Sequence, residues 1–198
     1  MRHRAVKLPQ AVETAPFAHL ILDGALEPDE LHNLQNAFSE EPRARLDGEL
    51  YSHERGRSPP VHPALRAFCT NLAEQRGALS ALFGLNLASE GMRSVDGAAY
   101  LYKPSDYLLP HSDKGDSRAL AYVLYLSSCR GGELLLFDCV TSKSPITGKS
   151  EIVRTRPAKR IVPKPNRLVL FAVSEIALHQ IREVTAGARA SIAGWFYR

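Results

Sequence analysis

Cysteine is scarce in this chain and poorly placed for covalent or structural work. Cys69, Cys129 and Cys139 form an odd set with no Cys-x-x-Cys spacing, which argues against a disulfide framework and against a structural zinc site. Each reads as a small buried or half-buried apolar residue. Long hydrophobic runs are missing too: the charged start Met1-Arg2-His3-Arg4 leads into no continuous apolar segment, so neither a secretory signal nor a membrane anchor is expected. A cytoplasmic protein without membrane contact follows as the expectation. Low-complexity tracts and internal repeats are lacking. Charge of one sign is not dominant: the net +4 and a pI near 9.0 are too modest to identify an anionic partner.

What is present is an ordinary globular composition, 44% hydrophobic and 23% charged over 198 residues. That is enough for one domain with a substantial core and too little for two. The expected division is a helical support over 1–90 and a catalytic β-core over 91–198. Phe17 to Leu22 reads as an early strand ended by Asp23-Gly24. Pro28 then opens a helix in which Leu31, Leu34 and Phe38 recur at helical spacing. Residues 40–60 show no sustained period and read as a long loop, with one short strand around Leu50-Tyr51. Pro63 opens a second helical stretch that Gly77 interrupts and Gly84 ends.

Beyond Gly84 the period becomes extended. Candidate strands run 98–103, 107–111, 119–126, 133–137, 152–154, 168–173, 179–184 and 190–197. Turn signals lie between them, among them Pro104-Ser105-Asp106, Lys114-Gly115-Asp116 and Gly131-Gly132. Many short strands at regular spacing imply a mainly β sandwich or barrel of jelly-roll type, with two or three N-terminal helices packed on one face.

His111-Ser112-Asp113 is the stretch with chemistry in it. Alternate residues of an extended segment point the same way, so His111 and Asp113 can converge on one ion. Those two ligands alone are compatible with zinc, with manganese or with no metal. His179, after the apolar run Leu168 to Val173, is the candidate third ligand, and two histidines with one carboxylate suit a non-haem Fe(II) oxygenase. Arg189, with Ser191 on the same strand face, could grip a carboxylate bidentately. Tyr102 and Tyr125 flank the site in neighbouring strands. His3, His19, His32, His53 and His62 lack a carboxylate at the right offset and read as surface or core residues, and Trp195 reads as core packing.

With these residues in view, the chain resembles the Fe(II)/2-oxoglutarate-dependent dioxygenases, and within them the prolyl 4-hydroxylase-like branch. The resemblance runs from about Ala98 to the C-terminus. It rests on Tyr102, His111-Ser112-Asp113, Ala121 to Leu126, Gly131-Gly132-Glu133-Leu134, Pro165 to Phe171, His179, Arg189-Ala190-Ser191 and Gly194-Trp195-Phe196. It implies a double-stranded β-helix, with iron held by His111, Asp113 and His179. It also implies 2-oxoglutarate held by Arg189 with help from Ser191, Tyr102 or Tyr125, dioxygen as cosubstrate and ascorbate as a candidate reductant. The carboxylate at 113 occupies the position that a halogenase leaves to a halide.

The implied reaction is hydroxylation of an unactivated C–H bond in an amino-acid-type substrate, with release of succinate and CO2. A free amino acid, a related metabolite and a peptidyl residue such as proline all remain open. Arg118, five residues after Asp113, is a candidate substrate contact at the cavity rim. Arg154 and Arg156, in the basic segment Lys143 to Lys164, are candidates on a substrate-facing lid, against the plainer reading of a solvated hairpin. Two other classes stay in contention. A nucleic-acid-directed demethylase would use the basic segment, although no aromatic platform is evident and nucleic acid is not the expected partner. A non-catalytic metal-binding β-barrel module would keep the ion alone. Oligomeric state is left open.

Overall fold

The structure, a computed structural model, describes residues 6–88, 96–115 and 117–198. Sixteen elements follow one another: β1 (His19–Asp23), α1 (Pro28–Glu40), β2 (Arg43–Asp47), β3 (Tyr51–Gly56), α2 (Pro63–Glu74), α3 (Arg76–Phe83), β4 (Ala98–Tyr102), β5 (Tyr107–His111), β6 (Arg118–Tyr125), β7 (Cys129–Gly131), β8 (Leu134–Lys143), β9 (Ser150–Ile161), β10 (Arg167–Ala172), β11 (His179–Ile181), β12 (Val184–Gly187) and β13 (Arg189–Tyr197). The expected boundary near residue 90 lies outside the described residues.

One antiparallel sheet runs in the order β1-β10-β6-β13-β4-β3-β5-β11-β8-β9, with β2 paired on β3; β7 and β12 form a separate pair. The sheet curls upon itself. Ala121, Val123 and Tyr125 of β6 and Val169 and Phe171 of β10 share one core with Leu134 and Leu136 of β8 and Ile161 of β9. The alternate residues Leu120, Tyr122, Leu124, Leu168, Leu170, Ile192 and Phe196 pack outward against Leu34, Phe38, Leu65, Leu72 and Leu79 of the helices. Both faces of β6 and β10 are therefore buried, which explains why those strands read as continuous apolar runs. Each such fully buried side chain contributes roughly 1.5–3 kcal/mol. This is the double-stranded β-helix, with its helices on one outer face.

The helices begin and end for local reasons. Pro28 and Pro63 occupy first helical positions, where a missing N–H costs nothing. The His62 Nδ1 accepts from Ala64 N at 3.2 Å, capping α2. Gly84 ends α3 in the left-handed conformation at φ 63°. The break between α2 and α3 falls at Gln75 rather than Gly77, which lies inside α3. Among the described residues no helix is long and apolar enough to cross a membrane.

Several strands differ from the expectation. Residues 40–60 are not a long loop: β2 and β3 form a hairpin in register from Arg43↔Gly56 to Asp47↔Ser52, and β3 continues onto β4 and β5. Its alternation leaves no apolar period because the inward positions carry Tyr51, His53 and Arg55. The expected strand 179–184 divides into β11, on the main sheet, and β12, on β7. Gly131 is what permits the second pairing, since a Cβ there would stand 2.1 Å from the Glu183 carbonyl oxygen. The strand expected at 152–154 is the middle of the much longer β9, paired with β8 in a protruding hairpin.

Candidate active site

Strand pairing brings the three chemistry-bearing residues together. His111, the last residue of β5, stands opposite His179, the first of β11, and their rings lie 4.3 Å apart between centroids. β5 ends at His111, so Asp113 reaches the site from the irregular segment beyond the strand rather than from within it. One Asp113 oxygen lies 3.6 Å from the His111 Nε2 and the other 3.5 Å from the His179 Nε2. One ligand atom from each residue falls within 4.8 Å of the others, a spacing that could hold a metal ion.

Both imidazoles are oriented for that task. The Nδ1 of His111 faces the Leu109 carbonyl at 2.9 Å, and that of His179 faces the Ala177 carbonyl at 3.2 Å. A proton on each Nδ1 satisfies the carbonyl and leaves the Nε2 lone pair facing Asp113, the arrangement that second-shell carbonyls impose on metal-binding histidines. Burial depresses the His179 pKa to about 4, against the attraction of Asp113, so the ring is neutral at neutral pH. Burial would raise the Asp113 carboxyl, but the two histidines and the Trp195 indole outweigh it and hold the group at about 2. For His111 burial works downward and is overcome by Asp113 and the Leu109 carbonyl, for a net upward shift.

A cavity of about 360 Å³ opens beside this cluster. Arg189, the first residue of β13, lines it and is only 2% exposed. Its guanidinium lies 5.0 Å from the Tyr102 ring centroid and 4.9 Å from that of Tyr125, and its Nη1 donates to the Ser191 Oγ at 3.3 Å. Among the described residues no carboxylate pairs with it, its buried Nε has no acceptor, and the buried Tyr125 hydroxyl has no partner. A buried cation with such neighbours calls for an anionic ligand. The donor set at the three-residue cluster suits Fe(II), and the orphaned Arg189 and Tyr125 atoms suit a carboxylate, so these residues fit iron and 2-oxoglutarate together.

A family model described as the 2OG-Fe(II) oxygenase superfamily matches residues 98–197, the C-terminal half of the chain. The chain belongs to that superfamily. It is 29% identical to the mouse prolyl 3-hydroxylase OGFOD1 over 94% of its own length. It is also 35% identical to the Xenopus laevis protein of the same name over 53% of its length. The chain spans only about a third of the mouse relative, 34% of its length. Among solved structures, a Pseudomonas putida prolyl-4-hydroxylase superposes with a TM-score of 0.65 at 20% identity, covering 91% of this chain and 92% of the other. A viral collagen prolyl hydroxylase from Paramecium bursaria Chlorella virus-1 gives 0.61 at 17%, covering 90% and 95%. At such identities these structures speak for the shared fold.

The remaining candidate arginines of the chain separate clearly. Arg118 lines the cavity, packs 3.7 Å over the Trp195 ring and donates to the Asp113 carbonyl at 3.4 Å. Arg154 and Arg156 are exposed on β9, outside the cavity lining, and Arg156 is paired with Asp138 at 2.9 Å. Both belong to the exposed β8–β9 hairpin. Several lining residues went unrecognised in the sequence. His53 is a buried core histidine that also lines the cavity, stacked on Tyr102 at 5.0 Å, and Arg55 and Tyr100 line the cavity with it. Trp195 belongs to the lining as well as to the core. The alternation of Tyr51, His53 and Arg55 with Ser52 and Glu54 was the available signal.

Proposed function

We propose that this chain is an Fe(II)- and 2-oxoglutarate-dependent hydroxylase that acts on a prolyl residue within a peptide. The observation that carries the proposal is the orphaned, buried Arg189 guanidinium beside a His-Asp-His cluster in one cavity, within a chain of this superfamily. His111, Asp113 and His179 would hold the iron through two imidazole nitrogens and a carboxylate, leaving coordination positions open. Arg189 would pair with the far carboxylate of 2-oxoglutarate, with the Ser191 and Tyr125 hydroxyls as further donors and the Tyr102 ring as a wall. Bound there, the metal, 2-oxoglutarate and dioxygen supply an oxidant able to hydroxylate an unactivated C–H bond, with succinate and CO2 as co-products.

The protein's own part is positioning and exclusion. Leu134, Phe171 and Ile181 line the apolar side of the cavity, which keeps water from the cosubstrate and strengthens the Arg189 pairing. Peptidyl proline as substrate class draws on the prolyl 3-hydroxylases among the relatives. The helices share a core with β6, β10 and β13, which supports one catalytic domain over 1–198. Three cysteines that remain free suit a reducing, cytoplasmic setting.

The decisive experiment measures succinate release from 2-oxoglutarate with Fe(II) under air, with and without a library of prolyl peptides, for wild type and Asp113→Ala. A peptide-stimulated signal with a mass gain of about 16 Da, one oxygen atom, is expected from wild type only. Iron-loaded wild type that turns over nothing would overturn the proposal in favour of a binding module.

A further inference from the structure

Arg189 and the His-Asp-His cluster leave a second group of polar atoms in the same cavity without partners. They lie on β3. Tyr51, His53 and Arg55 line the cavity, while Ser52 and Glu54 are tied down on the other face. The Ser52 Oγ donates to Asp106 at 2.9 Å, and Glu54 receives Lys103 at 2.5 Å and Arg43 at 3.7 Å. Across the hairpin, Arg45 clamps the buried Asp106 bidentately at 2.7 and 2.8 Å. Ion pairs on the outer face of the hairpin thus fix its inner face against the cavity.

Arg55 stands out on that inner face. Its guanidinium lies 5.6 Å from the Tyr100 ring centroid, its buried Nε has no acceptor, and among the described residues no carboxylate pairs with it. Among the described residues Arg55 is held only by the Tyr100 side chain, whereas Arg118 packs closer, 3.7 Å over the Trp195 ring, and donates to the Asp113 carbonyl. The described lining residues include three guanidinium groups, on Arg55, Arg118 and Arg189, and a single carboxylate, that of Asp113, which is committed to the two histidines. Such a cavity offers donors and almost no anionic acceptor.

Proline within a peptide suits that imbalance. Its nitrogen carries no hydrogen, and it presents only carbonyl oxygens on either side. Free proline would offer its own carboxylate to a guanidinium, but it also brings a secondary ammonium for which the described lining has no uncommitted carboxylate, and burying that charge unpaired is costly. We infer that Arg55 is a specificity-determining residue of this oxygenase, donating to a carbonyl oxygen that flanks the target proline and so selecting N-acylated prolyl residues over the free amino acid. This rests on the hydroxylase function proposed above.

The test compares wild type with Arg55→Met, each with Fe(II) and 2-oxoglutarate, on free L-proline and on the best prolyl peptide of the library. Wild type should oxidise the peptide and leave free proline untouched. Loss of a charged hydrogen bond should raise the peptide KM in Arg55→Met by about 10- to 100-fold, and Arg55→Lys should recover part of it. The 2-oxoglutarate Kd of the Mn(II)-loaded variant should stay within about twofold of wild type, since Arg189 is untouched. Replacing the flanking carbonyl oxygens one at a time by sulfur, a weaker acceptor, should at one position weaken the wild type and cost Arg55→Met nothing more. If Arg55→Met fails to bind 2-oxoglutarate, the sulfur series on wild type decides, and indifference to both sulfur positions overturns the inference. Oxidation of free proline as well as the peptide, an unchanged peptide KM, or additive losses overturn the inference alone. Oxidation of neither form by wild type overturns the hydroxylase proposal and this inference with it.

Discussion

The two faces of β6 and β13 make opposite use of the same alternation. Toward the helices the strands present Leu120, Tyr122, Leu124, Ile192 and Phe196, bulky side chains that fill the layer. Toward the barrel interior they present Ala121, Val123, Ser191, Ala193 and Trp195, together with Arg189, around a cavity of about 360 Å³. Small inward residues leave room, and polar ones furnish it. One face therefore carries stability and the other chemistry, separated by the thickness of a single strand.

The comparison breaks most sharply at the metal cluster. Asp113→Ala should abolish metal-dependent succinate release, by at least about 100-fold given what even outer-shell partners are worth, with Mn(II) binding by calorimetry as the parallel check. Arg189→Met should raise the 2-oxoglutarate KM by about 30-fold or more, as expected for truncating a buried charge pair. The ligand-free protein should be no less stable to urea, because a buried cation without a counter-charge has been removed. A variant that lost stability as well as affinity would erase the division between the faces.

On the opposite face, Leu124→Ala should cost about 2–5 kcal/mol in urea denaturation and leave the 2-oxoglutarate KM unchanged. The smallest effect concerns pH. Burial, reinforced by Arg55, depresses the His53 pKa to about 4, whereas the unfolded chain takes up that proton near pH 6.5. Lowering pH through that window protonates the unfolded state first, so stability present above about pH 6.5 falls progressively toward pH 4. In the metal-free protein, His53→Phe should show a smaller decline in urea midpoint between pH 7 and 4.5 than wild type.

What was legible in the sequence follows from these same faces. β10 announced itself because both of its faces are apolar, and His111, Asp113, His179 and Arg189 were recognisable from spacing and order. β2 and β3 were hidden because their inner face is polar and lines a cavity, leaving no apolar period to detect. The length of β9 is not legible for a related reason: apart from Ile161 at its end the strand carries no buried face, so its extent is set by pairing with β8.

The sequence by itself determined which strands exist where a buried face demands apolar side chains, and which residues are of a type able to ligate a metal or to pair with a carboxylate. Only the tertiary structure decided that His179 would face His111 across paired strands. It also decided that Arg154 and Arg156 would point to solvent and that Arg55 would reach a cavity built largely from strands more than forty residues downstream. The physical reason is that hydrophobic periodicity records burial in a dry core, whereas a polar cavity is assembled from long-range pairing that leaves no local pattern in any one strand.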